Sequence, residues 1–517
     1  MLYSRRTANV NRCGAVRWLL SVVLTVFASS GAAGATLQAV ILAEGTRWAT
    51  PYYLQDSGLD GPTVMIVGGI HGDESAGAYA AQQIRQWPIR RGKIIVLPRA
   101  NVPALKAHSR LTPGVEKSER NLNRNFPKPG RSDSTQGMPA LPIWQLVQDA
   151  RPDWLVDLHE GSDFHQINPK SVGSSIIVWP EEKTDQMAAL MLEAVNTTIP
   201  DKEKHFVRLR LGLGGTLARA TAEHLGLRAM ILETTIKGQP LSHRSRQHRL
   251  LVHRFLTHLE MIDSGVGLHW VTDHDAATGT TRVALYDAAG TGGRGVPRIE
   301  ALLGGPKGFE VVRIGPEDVV AGILEQFDVI VFPGGSGSRQ AAALGETGRN
   351  NVQRFVKAGG GYVGICAGAY LALDGFAWGL KILDAKTVSP KWRRGKATVK
   401  LDLTEAGRRV FDHPAGRFDV KYNCGPILMP AGSNALPDYI PLAFFRSEVA
   451  NNGTPPGVMI DTPAIVAGRY GKGRVISISP HPEQTDGLEH VVRAAVRWTA
   501  SVPSSSKAQP PPALRAY

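Results

Sequence analysis

The chain has 517 residues, too many for one hydrophobic core, so two or more domains are expected. Hydrophobic residues at 43% and charged residues at 20% are ordinary for globular protein, and 56 Gly with 34 Pro argue for a loop-rich α/β protein and against a helical bundle. The net charge is +14, but the basic residues are scattered and carry no nucleic-acid motif, which argues against a nucleic-acid partner.

In chain order, residues 1–35 read as a leader rather than fold. Arg5, Arg6, Arg12 and Arg17 precede a short apolar run at 18–27, and Ala33-Gly34-Ala35 resembles a small-residue cleavage site. This is the pattern of a secretory signal peptide. The run is shorter than a spanning helix needs, no other stretch reads as transmembrane, and no stable membrane span is expected after leader removal. The protein is therefore expected to be exported, periplasmic or secreted. Loss of the leader removes four Arg and no acid, leaving +10. Apart from Lys391-Trp392-Arg393-Arg394, the plainest account of that charge is a solvated surface of mixed sign. Cys13 leaves with the leader, so Cys366 and Cys424 remain. Export would permit a disulfide between them, but Cys366 has a better use, argued below.

Residues 36–62 are polar and turn-rich and read as a leading hairpin. The apolar run Val64-Met65-Ile66-Val67 then enters Gly68-Gly69-Ile70-His71-Gly72-Asp73-Glu74, and Ser75–Ile84 leaves it in a helical pattern. His71 and Glu74 either cap the turn and the first helical turn or offer an imidazole nitrogen and a carboxylate oxygen as a partial zinc site; a catalytic zinc wants one more protein ligand and an open position. A strand at 93–98 follows. Arg110 and then Asn121-Leu122-Asn123-Arg124-Asn125-Phe126-Pro127 lie beyond it. Arg suits bidentate carboxylate recognition and oxyanion stabilisation. Residues 143–150, 181–196 and 216–225 read as helices. The strand Trp154-Leu155-Val156-Asp157-Leu158-His159-Glu160-Gly161 ends in His159, and the strand at 227–235 ends in Glu233. Strand ends can meet across a parallel sheet. His71, Glu74, His159 and Glu233 then offer three Zn2+ ligands and a base, the set that water activation needs.

These motifs resemble the zinc carboxypeptidase superfamily, and its succinylglutamate desuccinylase/aspartoacylase branch most closely, over about residues 60–260. The resemblance implies zinc on His71, Glu74 and His159, with Glu233 as general base and acid. It implies Asn123 and Arg124 gripping a substrate carboxylate and Arg110 polarising the scissile carbonyl. The loop at 111–120 is longer and more charged than in the deacylase branch, so Arg120 competes with Arg110 for that role.

Small polar residues at 263–281 mark a linker between the domain at 36–262 and one at 282–500. In the second, Arg282-Val283-Ala284-Leu285-Tyr286-Asp287, a strand at 309–314 and a strand at 327–335 ending in Gly334-Gly335 alternate with helical patterns, so another doubly wound parallel sheet is expected. A helix at 351–358 leads to Gly361-Tyr362-Val363-Gly364-Ile365-Cys366-Ala367-Gly368, whose glycines flank Cys366 as in a nucleophile elbow. His481 and Glu483 follow a strand at 474–479 and supply a base and its orienter. Gly334 and Gly335 offer N–H groups to an oxyanion. This half resembles class I glutamine amidotransferase-like domains, particularly the N-terminal domain of some biotin-protein ligases, over about 281–500. Tyr422-Asn423-Cys424-Gly425-Pro426 resembles part of that domain's pocket wall. Residues 501–517, rich in Ser, Pro and Ala, read as a disordered tail.

The expected fold class is α/β. It comprises two doubly wound α/β domains, a zinc-carboxypeptidase-like mixed sheet followed by a flavodoxin-like amidotransferase-type sheet. The expected function is zinc-dependent hydrolysis of an amide next to a free carboxylate. The resemblance covers carboxypeptidase and N-acyl amino acid deacylase types, and cell-wall peptides among the substrates. The partner is a small-molecule or peptide substrate with a free carboxylate. The alternative is a ligand-binding protein with one or both sites idle. No nucleotide-binding glycine motif is present, so the second domain is not expected to feed ammonia to a synthetase.

Overall fold

The computed structural model describes residues 24–25 and 36–500, apart from 129, 131–134, 180, 211–213, 266, 273–278, 305–307 and 414. The tail at 501–517 and nearly all of the leader lie outside the described residues. Within the leader only Leu24–Thr25 (β1) is described, paired antiparallel with Thr36–Leu42 (β2). Among the described residues no helix is long and apolar enough to cross a membrane.

The first sheet adds Thr50–Asp56 (β3), Thr63–Gly68 (β4), Lys93–Leu97 (β5), Trp154–Gly161 (β6), Ser175–Val178 (β7), Val207–Leu209 (β8) and Arg228–Thr235 (β9). Their order is β1-β2-β3-β5-β4-β6-β9-β7-β8, and β5, β4, β6 and β9 run parallel. A parallel strand covered on both faces must be apolar on both, which is why 64–67 is a continuous hydrophobic run. Val64 and Ile66 pack with Ile84, Met191 and Phe255 on one face. Met65 and Val67 pack with Phe126, Trp144 and Leu217 on the other. The leading pair, β2 and β3, is the expected hairpin.

The second sheet contains Thr281–Tyr286 (β10), Phe309–Ile314 (β11), Val329–Phe332 (β12) and Gly361–Ile365 (β13). A small separate pair joins Ala385–Thr387 (β14) to Leu428–Pro430 (β17). Lys396–Leu403 (β15), Arg417–Asn423 (β16), Ile440–Phe445 (β18), Pro463–Tyr470 (β19) and Gly473–Ile478 (β20) complete the large sheet, in the order β11-β10-β12-β13-β20-β19-β18-β15-β16. The stretch from β11 to β20 is parallel, in the flavodoxin-like strand order. This stretch is the expected doubly wound parallel sheet. From β20 outward the strands pair antiparallel, because β19 and β20 join through the short turn at Gly471.

The halves pack through the helix Leu241–His258. Arg249 and Arg246 of that helix both reach Asp318 Oδ1 at 3.0 Å. Arg249 and Asp318 are each 1% exposed, so the charges are withdrawn from water and depend on one another. Residues expected as a linker are also pinned. Arg249 Nη1 donates to Leu268 O at 2.8 Å, and Trp87 Nε1 donates to Trp270 O at 3.0 Å.

Candidate active site

The ends of β4, β6 and β9 meet at one edge of the first sheet. His71 and Glu74 sit in the turn after β4, which lies tight against its neighbour. A Cβ on Gly72 would stand 1.9 Å from Ala104 O, so no other residue fits there. His159 lies near the end of β6, directly paired with Glu233 on β9. All four side chains are buried.

Ligand atoms from His71, Glu74 and His159 lie within 4.8 Å of one another. His71 Nδ1 is 2.8 Å from Glu74 Oε1, and His159 Nδ1 is 2.7 Å from Glu74 Oε2. The opposite ring nitrogens are held from behind. His71 Nε2 is 3.1 Å from Asn121 Oδ1, and His159 Nε2 is 3.0 Å from Asp157 Oδ2. Both imidazoles therefore aim Nδ1 inward while a second group fixes the far nitrogen, the arrangement found around metal-ligating histidines. Burial pushes the Glu74 pKa up, but the two imidazoles outweigh it and hold the carboxyl well below its ordinary range. Burial works against the His159 cation, yet Asp157 and Glu74 raise its pKa well above the usual value. An ionised carboxylate between two imidazole nitrogens is a donor set suited to a divalent cation, which binds as the imidazoles give up their protons.

Glu233 differs from Glu74. Desolvation raises its pKa well above the usual carboxyl range. Its Oε2 is buried with no hydrogen-bond partner among the described residues. A buried carboxyl oxygen of this kind is a candidate to handle a proton of a bound substrate.

The predicted loop residues reach the same place. Arg110 Nη1 donates to Glu74 Oε1. Arg120 is exposed and contributes its backbone O to Thr112 N at 2.7 Å. Asn123 Nδ2 is 3.2 Å from His159 Nε2, and its Oδ1 accepts from Leu217 N at 3.1 Å, tying the loop to the helix Leu217–Leu225. Arg124 is half-buried, and burial followed by the Arg110 charge lowers its pKa. Among the described residues its guanidinium has no carboxylate partner; Nη1 donates to Asn123 O at 2.5 Å.

Sequence reasoning passed over Asp157, Asn121 and Glu160. Asp157 stands two residues before His159 on a strand, hence on the same face, which was a readable signal. Glu160 accepts from Ala76 N at 2.8 Å and pairs with Arg244, bracing the helix Ser75–Ile84 behind the metal-type turn.

Residues 60–259 match the family described as Succinylglutamate desuccinylase/Aspartoacylase catalytic domain. The N-terminal half carries a domain of that family. Residues 323–384 match Biotin-protein ligase, N terminal, in the other half. The N-alpha-acetyl-L-2,4-diaminobutyric acid deacetylase of Halomonas elongata is 29% identical over 187 residues, which are 32% of this chain and 52% of that protein. The chain thus spans about half the length of that curated relative. Among solved structures, product-bound cell shape determinant protein Csd4 from Helicobacter pylori is 20% identical, with 39% of this chain and 51% of that chain covered and a TM-score of 0.34. The ectoine utilization protein EutE (DoeB) from Ruegeria pomeroyi is 21% identical, with 47% and 72% covered and a TM-score of 0.34.

Beyond this desuccinylase/aspartoacylase domain, the structure places Cys366 between β13 and the helix Ala367–Ala372. Its φ of 51° and ψ of −94° are a strained elbow conformation for a non-glycine residue. His481 Nδ1 is 2.7 Å from Glu483 Oε1. Burial disfavours the His481 cation, but the Cys366 thiol and then Glu483 push its pKa up to about 10. A Cβ on Gly334 would stand 2.7 Å from His481 Cε1, so glycine is required under the imidazole. Gly334 and Gly335 line the same cavity as Cys366; Gly334 O accepts from Gly292 N and Ser336 N donates to Gly290 O, each at 2.7 Å. Cys366 and Cys424 are both free thiols.

Proposed function

We propose that the N-terminal domain is a zinc-dependent hydrolase that cleaves an amide next to a free carboxylate, of the N-acyl amino acid deacylase type. The observation that carries this reading is the pairing of a His-Glu-His cluster with a buried, unpartnered carboxylate at one strand end.

His71, Glu74 and His159 would hold the ion, and the donor set fits it: two nitrogens and a carboxylate oxygen leave an open position. Bound there, zinc supplies Lewis acidity toward the amide carbonyl and lowers the pKa of a water. Glu233 takes the proton of the attacking water and returns it to the leaving nitrogen; burial raises its affinity for that proton. Arg110 neutralises negative charge that develops on the carbonyl oxygen. Arg124 receives the substrate carboxylate, since no carboxylate of the described chain occupies it. Asn121 and Asp157 hold the imidazoles in orientation. The products are one amine and one carboxylate. The leader's composition supports work outside the cytoplasm.

The test uses the zinc-loaded full chain with N-acetylated amino acids and their C-terminally amidated analogues. Amine should be released from the acids, and Arg124→Ala should lose activity mainly on them. Equal loss on the amidated analogues would remove the carboxylate grip, and no release from either set would remove the deacylase reading.

A further inference from the structure

The helix Leu241–His258 bonds to both halves of the chain, and its own first turn is incomplete. That turn holds no acidic residue, and Pro240 at its cap makes no side-chain hydrogen bond. A helix start leaves backbone N–H groups unpaired and favours nearby negative charge. The second domain supplies both. Asp287, just past β10, accepts from Ser242 N at 3.4 Å through Oδ2, and its backbone O accepts from Ser242 Oγ. Glu317 Oε1 lies 3.7 Å from His243 Nδ1. Ser242 and Asp287 are both buried, so water does not stand in for either.

The same turn reaches the candidate active site from behind. Arg244 Nη1 donates to Glu160 Oε1, and its Nε is fixed by Gln239 O at 3.1 Å. Glu160 follows His159 on β6. Its Oε2 accepts from Ala76 N at 2.8 Å, and its own N–H donates to Glu74 Oε2 at 3.2 Å. Glu160 thus holds the helix that follows the ligand turn and one oxygen of the ligand carboxylate. It is buried, so only Arg244 keeps its charge compensated there. One turn further along, His248 Nε2 lies 3.2 Å from Thr234 Oγ1, beside Glu233 on β9.

Resting on the zinc reading above, we propose that Arg244 is a positioning residue for the metal centre, held in place by the second domain, which caps its helix. Arg244 acts through Glu160, whose side chain and backbone fix the turn that carries His71 and Glu74. Ser242 and Arg244 stand two residues apart, so a helix start loosened at Asp287 also loosens Arg244. The second domain is therefore part of the metal site's support, and weakening its grip weakens zinc binding.

The test measures zinc affinity of the full chain by competition with a chromogenic chelator. It also follows hydrogen exchange of the metal-free chain over residues 68–84 by mass spectrometry. Arg244→Gln should weaken zinc binding by about 10–100-fold, and Arg244→Lys, which keeps the charge, should restore most of it. Asp287→Ala should weaken it about fivefold, the effect of one lost helix cap. Both contacts act through one link, so the double variant should lose less than the product of the two. In the metal-free chain each single variant should speed exchange over 68–84. Exchange over 361–365 should stay as in the parent, showing that the second sheet is still folded. Parent-like exchange over 68–84 in Arg244→Gln overturns the inference, and so does parent-like zinc affinity in that variant. Parent-like values in Asp287→Ala, or losses that simply multiply, overturn the second domain's part. A parent chain that binds no zinc sinks the zinc reading instead, and the exchange result still decides whether Arg244 braces the turn.

Discussion

His159 on β6 and Glu233 on β9 are register partners in a parallel pair, so a metal-type ligand and an unpartnered carboxylate share one strand end. This neighbourhood fixes the distinct duties of two buried glutamates. Glu74 is held ionised by two imidazoles, whereas burial raises the affinity of Glu233 for a proton.

Glu233→Gln removes the proton carrier and leaves the three ligand side chains in place. Turnover should fall by roughly 10²–10⁴-fold while metal content is unchanged. Parallel kcat and metal measurements check this; parent-like turnover would take Glu233 out of the reaction.

Asp157→Asn weakens the group that orients His159 from behind. Metal affinity should drop by about 10–100-fold, read by competition with a chromogenic chelator. An unchanged affinity would mean that Asp157 serves only packing.

The motif-bearing part of the molecule was legible because it is local. Buried parallel strands print themselves as apolar runs, and the glycine turn after Val67 announces where His71 and Glu74 emerge. Less local features were hidden. The helix Gly337–Ala358 was read only from residue 351, since Gly345 and Gly348 break the apolar period. The strand Lys396–Leu403 alternates polar and apolar residues, and no motif drew attention to it. The Arg249–Asp318 contact joins positions 69 residues apart, which no window along the chain can show. Asp157 was visible in sequence, but its role depends on which way His159 turns.

That buried contact gives a stability prediction. Asp318→Asn leaves Arg249 and Arg246 with no compensating charge in a dry interface and should destabilise the chain by about 3–5 kcal/mol. Denaturant unfolding followed by fluorescence would show it as a lower midpoint. An unchanged midpoint would mean that water reaches the interface.

The raised His481 pKa sets a pH dependence. An unfolded histidine titrates near 6.5, whereas His481 in the fold titrates near 10. Stability from this proton is fully present below about 6.5, declines above it, and is gone once pH passes about 10. The melting-temperature gap between parent and His481→Gln should therefore shrink from pH 6 to pH 10. A constant gap would contradict the Cys366–His481–Glu483 pairing.

The central claim is that His71, Glu74 and His159 form one metal centre, and zinc content measures it most directly. After dialysis against excess zinc and removal of free ion, elemental analysis should find about one zinc per parent chain, the fourth position being left to water. His71→Ala and His159→Ala should each lose most of it, with melting curves confirming that both variants remain folded. Folded variants that hold as much zinc as the parent would contradict the account.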